Sequence, residues 1–181
     1  MNERKLGREI LIDLAGRHQR PGSGSDPSFL LERTACMKFP DLTPILGPIP
    51  WAAVGAAATR LYMPERTTKD LDVLIRVANA SEARQKLIAA DFIYKGELAI
   101  GGSSWTTPDG FSVDVLELED PWTHQAITDA QANRDPQGLP VIPLPYLSLM
   151  KFQAGRVQDI ADLARMLGQA NEETLAKVRA V

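Results

Sequence analysis

The chain has few of the residues on which disulfide-stabilised and zinc-binding proteins depend. Its 181 residues include one cysteine, Cys36, and two histidines, His18 and His124. A lone cysteine cannot form an internal disulfide, and this set is too small for a usual His/Cys zinc site. We therefore expect a protein of the reducing cytoplasm, without such a zinc centre.

Long apolar segments and a strong excess of basic charge are also missing. No apolar run reaches the roughly 20 residues that a membrane span needs, and residues 1–5 are charged instead of beginning a signal peptide. The net charge is −3, which disfavours a strongly basic nucleic-acid binder but permits a local basic face. We expect a globular protein without a membrane partner.

The order of predicted elements indicates an α+β fold, in which helices flank a mixed β-sheet and the C-terminal part is helical. We expect an N-terminal helical and irregular extension over 1–49, a core over 50–143, and a helical region over 144–181 that packs on it. Prolines 40, 44, 48 and 50 argue against regular structure before Trp51. Helices are predicted over 3–17, 26–37, 56–62, 81–90, 122–132, 145–167 (stopped by Gly168) and from 172; strands over 51–54, 70–77, 92–100, 103–107 and 111–118, with a short edge piece at 139–142.

Three aspartates stand in the predicted strands. Asp70 and Asp72 are two residues apart and so point to one face of a strand, and Asp114 lies within a second strand. If those strands pair, the three carboxylates converge, and such a cluster favours a hard divalent cation. The competing interpretations are a solvent-facing Asp pair and an Asp114 that is hydrogen-bonded to a neighbouring strand or an arginine.

A possible phosphate-binding turn precedes these strands. Gly55-Ala56 follows a short apolar strand and opens a short helix, and a glycine at such a turn leaves backbone N–H groups free to hold phosphate. By contrast, Gly101-Gly102-Ser103-Ser104 fits a hairpin turn better than a second phosphate loop. Carboxylates and phosphate donors together indicate nucleotide chemistry.

These motifs together resemble the DNA polymerase β-like nucleotidyltransferase superfamily. The resemblance covers roughly residues 50–167. Two finer matches resemble its bacterial toxin-like branch, the AbiEii or MenT type. The segments that match the superfamily are Val54-Gly55-Ala56, Asp70-Leu71-Asp72-Val73 and Val113-Asp114-Val115. The first finer match is Arg66-Thr67-Thr68-Lys69-Asp70-Leu71-Asp72, which resembles an Arg-x-Thr-x-Asp-apolar-Asp signature. The second consists of Lys151, Ala154-Gly155-Arg156 and Asp159, which resemble a Lys-x-x-Ala-x-Arg-x-x-Asp helix.

The resemblance implies a metal-dependent transfer of a nucleotide. Asp70, Asp72 and Asp114 would hold two Mg²⁺ ions, and Asp114 would also take the proton of the acceptor hydroxyl. Lys151 would contact the β- and γ-phosphates of the nucleoside triphosphate. Without the resemblance, a solvated lysine on an amphipathic helix is the favoured interpretation. The nucleotide-binding residues would be Gly55, Ala56, Arg66, Thr68 and Lys151.

The acceptor and the physiological role are left open by these residues. The implied acceptors are an RNA 3′ end such as tRNA, a protein hydroxyl, or a small molecule such as an antibiotic, and the toxin-like branch implies a cognate antitoxin as partner. Ala56 stands where the family commonly has Gly or Ser, so the chain lacks a hydroxyl that could contact phosphate. This departure leaves a second interpretation, a non-catalytic nucleotide- or partner-binding protein on the same fold.

Overall fold

A computed structural model describes Ile12, residues 38–63 and residues 68–181. The helices predicted over 3–17 and 26–37 lie outside the described residues, apart from Ile12, which is helical and buried in the core. Arg66 also lies outside them. The proposed division at residues 49 and 143 stays a prediction.

The described part of the chain forms a five-stranded mixed sheet with helices against it. The strands run in the order β1, β2, β5, β4, β3, and β2 pairs with β5 in parallel while the other pairs are antiparallel. This arrangement confirms the predicted α+β class. The strands are β1 (Ala52–Ala53), β2 (Asp70–Arg76), β3 (Ile93–Glu97), β4 (Gly102–Thr106) and β5 (Ser112–Leu118).

The helices lie before, between and after these strands. The bridge between Ala53 and Val141 places the predicted edge piece 139–142 beside β1. None of the helices among the described residues is long and apolar enough to cross a membrane. The helices are α1 (Thr43–Leu46), α2 (Gly55–Thr59), α3 (Ala80–Ala89), α4 (Thr123–Ala130), α5 (Leu144–Ala154), α6 (Val157–Gln169) and α7 (Glu172–Ala180), with a 3-10 turn at Val77–Asn79.

Helix α1 corrects the expectation that the prolines exclude regular structure before Trp51. Pro44 stands in the first turn of this helix, where no backbone N–H is needed, so the ring is tolerated. The Asp41 carboxylate accepts a hydrogen bond from the backbone N–H of Thr43 at 2.9 Å, which starts the turn.

The two faces of the sheet have different tasks. Leu71, Val73 and Ile75 of β2 are buried on one face together with Val113 and Val115 of β5. Arg84 of α3 connects this helix to the sheet, because it forms ion pairs with Glu117 of β5 at 3.1 Å and Glu97 of β3 at 2.6 Å. The opposite face carries the even-numbered residues of β2 and β5, including the aspartates.

The predicted helix over 145–167 is wrong as a single element. Helix α5 ends at Ala154, Gly155 adopts a left-handed conformation with φ of 63°, and α6 begins at Val157. The Gly155 N–H bonds to the Lys151 carbonyl, as a glycine directly after a helix commonly does. Apolar residues occur on both sides of the break, so the apolar content of the segment did not reveal it. Gly168, the predicted stop, lies inside α6.

Candidate active site

Asp72 and Asp114 are direct neighbours on adjacent strands. The register of the parallel pair places Asp72 beside Asp114 and Asp70 beside Ser112. Since side chains alternate along a strand, all three carboxylates lie on one face. Asp72 and Asp114 are partly buried, and Asp70 is exposed. The strand pairing on which the predicted convergence depends is therefore confirmed.

Asp72 has the most strongly perturbed acidity of the three. Burial, followed by the negative charges of Asp70 and Asp114, raises its pKa to about 6, against a smaller lowering by a backbone hydrogen bond from Ala56 and by the charge of Lys151. The pKa is raised because ionisation of Asp72 adds a negative charge to a partly desolvated, already acidic place. A cation bound there would stabilise the ionised form of Asp72.

Gly55 is required by the position of the Asp72 carboxylate. Its φ is 58°, and a Cβ built on it would lie 1.9 Å from Asp72 Oδ2. Only glycine combines this backbone conformation with this close approach. The turn then brings the Ala56 backbone N–H to the Asp72 carboxylate. In this structure the Gly55-Ala56 turn thus holds a carboxylate, and its predicted contact with phosphate stays a prediction.

Thr68 is placed against Asp70. The Thr68 hydroxyl donates a hydrogen bond to Asp70 Oδ1, which fixes the carboxylate at the start of β2. This contact gives Thr68 a positioning task in the described structure. The predicted contact between Thr68 and the nucleotide is not tested by it.

Lys151 is buried and doubly paired, so the interpretation as a solvated lysine is wrong. Its side chain is 5% exposed, and Nζ lies 3.0 Å from Asp159 Oδ1 and 2.8 Å from Asp162 Oδ2. The break at Gly155 makes these contacts possible, because it turns the first turns of α6 back toward the end of α5. The ammonium also lies close enough to Asp72 to oppose the rise in its pKa.

Two residues that sequence reasoning missed belong to this region. Ser104 of β4 is the register partner of Asp114 and extends the row of Asp72 and Asp114 by one strand. Asp162 is completely buried against Lys151. Recognition of Gly155 as a helix stop would have placed Asp162 near Lys151, whereas the position of Ser104 depends on strand register, which the local sequence does not contain.

The segment Gly101-Gly102-Ser103-Ser104 belongs to the β3–β4 hairpin, as predicted, and its last three residues begin β4. A Cβ on Gly102 would lie 2.0 Å from the Val115 carbonyl oxygen, so this glycine permits close strand approach. The Ser103 hydroxyl accepts a hydrogen bond from Trp105 Nε1 at 2.9 Å, and both side chains are buried. Gly102, Ser103 and Trp105 therefore have structural roles.

Across the described ranges, no group of three or more His, Cys, Asp and Glu side chains is arranged as a ready metal site. The donors near Asp72 are nevertheless carboxylate oxygens, which Mg²⁺ prefers. Mg²⁺ is commonly bound through one or two carboxylates together with substrate phosphates and water, without a complete protein cage. The pair Asp72 and Asp114, with Asp70 nearby, fits this open kind of site.

Comparisons with known proteins find similar solved structures. No protein-family model matches the chain, and no curated protein matches it. The solution structure of the antibiotic-resistance factor ANT(2″)-Ia has a TM-score of 0.50 at 13% identity, covering 99% of this chain and 91% of that chain. A crystal structure of ANT(2″)-Ia in complex with adenylyl-2″-tobramycin has a TM-score of 0.48 at 16% identity, covering 73% and 86%.

A cytoplasmic RNA terminal U-transferase is a more distant match, with a TM-score of 0.33 at 18% identity, covering 85% of this chain and 46% of that chain. Identities in this range establish a likeness of fold and no more. Together with the mixed sheet and its flanking helices, the match to ANT(2″)-Ia shows that this chain has the nucleotidyltransferase fold.

Proposed function

We propose that this chain is a Mg²⁺-dependent nucleotidyltransferase, which moves a nucleoside monophosphate from a nucleoside triphosphate to a hydroxyl group. The observation that carries the proposal is the pairing of Asp72 with Asp114 on one sheet face, with the Gly55 turn pressed against Asp72. The fold, which is that of ANT(2″)-Ia, supports the same conclusion.

Each residue of the site has a separate task in this reaction. Asp70, Asp72 and Asp114 hold the magnesium ions, which when bound neutralise phosphate charge and acidify the acceptor hydroxyl. Asp114 accepts the hydroxyl proton. The hydroxyl oxygen then forms a bond to the α-phosphorus, and the bond between that phosphorus and the oxygen bridging to the β-phosphate breaks. Pyrophosphate leaves with the electron pair of that bond.

The remaining predicted residues bind the nucleotide. The Lys151 ammonium contacts the β- and γ-phosphates, and the backbone of Gly55 and Ala56 lines the phosphate path. Thr68 keeps Asp70 in place, and Arg66 supplies a further positive charge. Ala56 has no hydroxyl to add to these contacts, so we expect the triphosphate to depend more strongly on Lys151.

The proposed acceptors are an RNA 3′ end such as tRNA, or a protein hydroxyl. The resemblance to the AbiEii or MenT type supports them, and it also supports a toxin with a cognate antitoxin. If this role holds, induced expression of the chain arrests bacterial growth, and Asp70→Asn relieves the arrest. Normal growth on expression of the active wild-type enzyme contradicts the toxin role.

A small antibiotic is the second candidate acceptor. The likeness to ANT(2″)-Ia extends over 99% of this chain, and the crystallised complex of that protein contains adenylylated tobramycin. The acidic sheet face and the net charge of −3 suit a cationic small molecule better than a polyanionic RNA. This candidate predicts transfer to tobramycin without added RNA or protein.

One labelling experiment separates these possibilities. The protein is incubated with Mg²⁺ and each of the four α-labelled nucleoside triphosphates, in the presence of total RNA, lysate protein or tobramycin. We expect labelling of one acceptor class by the wild type and a loss of about a hundredfold or more in Asp70→Asn. Asp109→Asn, which changes an exposed turn aspartate, is the control and keeps full activity.

Equal labelling by the wild type and Asp70→Asn overturns the enzymatic proposal. Nucleotide binding that does not need Mg²⁺ and leads to no transfer supports the second interpretation, a non-catalytic binding protein. Calorimetric titration of each nucleotide with and without Mg²⁺ provides that comparison.

A further inference from the structure

The buried ammonium of Lys151 is enclosed by two carboxylates of unequal environment. Asp162 is completely buried, and its second oxygen accepts a hydrogen bond from the Gln158 side chain at 2.9 Å. Asp159 is 14% exposed, and its Oδ2 is a buried atom without a hydrogen-bond partner among the described residues. Both carboxylate oxygens of Asp162 are therefore hydrogen-bonded, whereas only Oδ1 of Asp159 has a hydrogen-bond partner among the described residues.

In the triad of Lys151, Asp159 and Asp162, two carboxylates share one ammonium. A lysine ammonium has three N–H donors, and the two carboxylates take two of them in the described structure. An incoming phosphate thus meets an ammonium that is largely engaged and a neighbouring negative charge.

The position of the triad connects it to the candidate active site. Lys151 is on the buried side of α5, and α5 packs against α2, the helix that begins at Gly55 beside Asp72. The influence of Lys151 on Asp72 agrees with this placement. Lys151 therefore belongs to the helix that packs beside the Gly55 turn.

We propose that Asp162 and Asp159 are positioning residues with opposite effects on nucleotide binding: Asp162 anchors Lys151, and Asp159 competes with the triphosphate for its ammonium. The proposal rests on the proposed function, because it assumes that a triphosphate reaches Lys151. When the triphosphate binds, a phosphate oxygen takes the N–H that Asp159 held. The anchor on Asp162 stays in place.

Calorimetry with each of the four nucleoside triphosphates and Mg²⁺ tests this directly. We expect Asp159→Asn to bind the preferred triphosphate about fivefold more tightly, because one unit of competing and repelling charge is removed. Asp162→Asn and Lys151→Met bind it about tenfold or more weakly. Glu173→Gln, which breaks the exposed pair with Lys177 at 2.8 Å, is the matched control and leaves the affinity unchanged.

A gain of affinity in Asp159→Asn is the decisive result, since damage to the fold cannot produce it. Asp162→Asn also lowers the melting temperature by about 5 °C or more, because it leaves a buried ion pair incomplete. If that variant fails to fold, Asp159→Asn still decides. Unchanged or weaker binding by Asp159→Asn overturns the proposal.

The same titration separates this proposal from the proposed function. If the wild type binds none of the four triphosphates with Mg²⁺, the proposed function fails and the triad proposal fails with it. If the wild type binds and the three triad variants match it, only the triad proposal is overturned.

Discussion

Three features of its surroundings constrain the Asp72 carboxylate. It is flanked by Asp70 and Asp114, it receives a hydrogen bond from the Ala56 backbone, and its Oδ2 occupies the space where any side chain on residue 55 would begin. A carboxylate held this tightly is costly for the protein without a cation and useful with one. Two predictions belong to this residue scale.

Gly55→Ala is expected to lower stability and to abolish nucleotide binding. The new methyl group meets Asp72 in a conformation that already disfavours alanine, so we expect a loss of about 2 kcal/mol or more in the free energy of unfolding. Gly138→Ala is the matched control, because its φ is 84° and a Cβ there meets no atom within 4 Å. It should lose only about 1 kcal/mol and keep nucleotide affinity. Urea denaturation measures the free energy of unfolding of each variant, and calorimetry measures its nucleotide affinity. Equal losses in the two variants contradict the argument from close approach to Asp72.

The raised pKa of Asp72 makes stability fall as pH rises when no metal is bound. Its folded value of about 6 exceeds the ordinary 3.8, so between these values the folded protein binds more protons than the unfolded chain. The free energy of unfolding therefore decreases from about pH 4 to about pH 6 and stays lower above that range.

Asp72→Asn should remove this loss. With a chelator present, we expect the variant to be more stable than the wild type by about 1 to 2 kcal/mol at pH 7.5, a value discounted for solvent screening. The difference disappears near pH 4. Chemical denaturation across this pH range measures it, with Asp109→Asn as control. A wild type that is as stable as Asp72→Asn at pH 7.5 contradicts the raised pKa.

At the scale of elements, the local sequence predicts most helices and strands but misses α1 and the break between α5 and α6. The alternation in 70–77 and 111–118 corresponds to β2 and β5, and the helix predicted over 81–90 corresponds to α3. The break at Gly155 was missed because apolar residues occur on both sides of it and no proline marks the end of α5. The strand order was also beyond local signals, because the β2–β5 pairing joins residues 42 positions apart.

Gly155 sets the angle between α5 and α6 and with it the contacts of Lys151. We expect Gly155→Ala to cost about 1 kcal/mol of stability, because alanine disfavours the left-handed conformation, and to weaken triphosphate binding. Gly155→Asn is the matched variant: asparagine adopts this conformation more readily, so both losses should be smaller. Thermal denaturation and calorimetry measure the pair. Equal losses in both variants contradict a role for the backbone conformation.

At the scale of the whole molecule, the carboxylate row and the Lys151 triad belong to different parts of the chain. The row is built on β2 and β5, and the triad is built on α5 and α6. A triphosphate that contacts both would connect the sheet to the C-terminal helices. The ligand then contributes to the stability of the folded molecule as well as to the reaction.

Binding of a triphosphate with Mg²⁺ should therefore raise the melting temperature. At a ligand concentration of about a hundred times Kd, the stabilisation is about 2.7 kcal/mol, which corresponds to roughly 5 to 10 °C for a chain of this size. Mg²⁺ alone should give a smaller rise, because Asp72 and Asp114 then lose part of their mutual repulsion. The rise in melting temperature with Mg²⁺ alone should be absent in Asp114→Asn. Differential scanning fluorimetry, with sodium chloride at matched ionic strength as control, measures each effect.

If neither Mg²⁺ nor any triphosphate changes the melting temperature of the wild type, the carboxylates are structural and the sheet face serves another purpose.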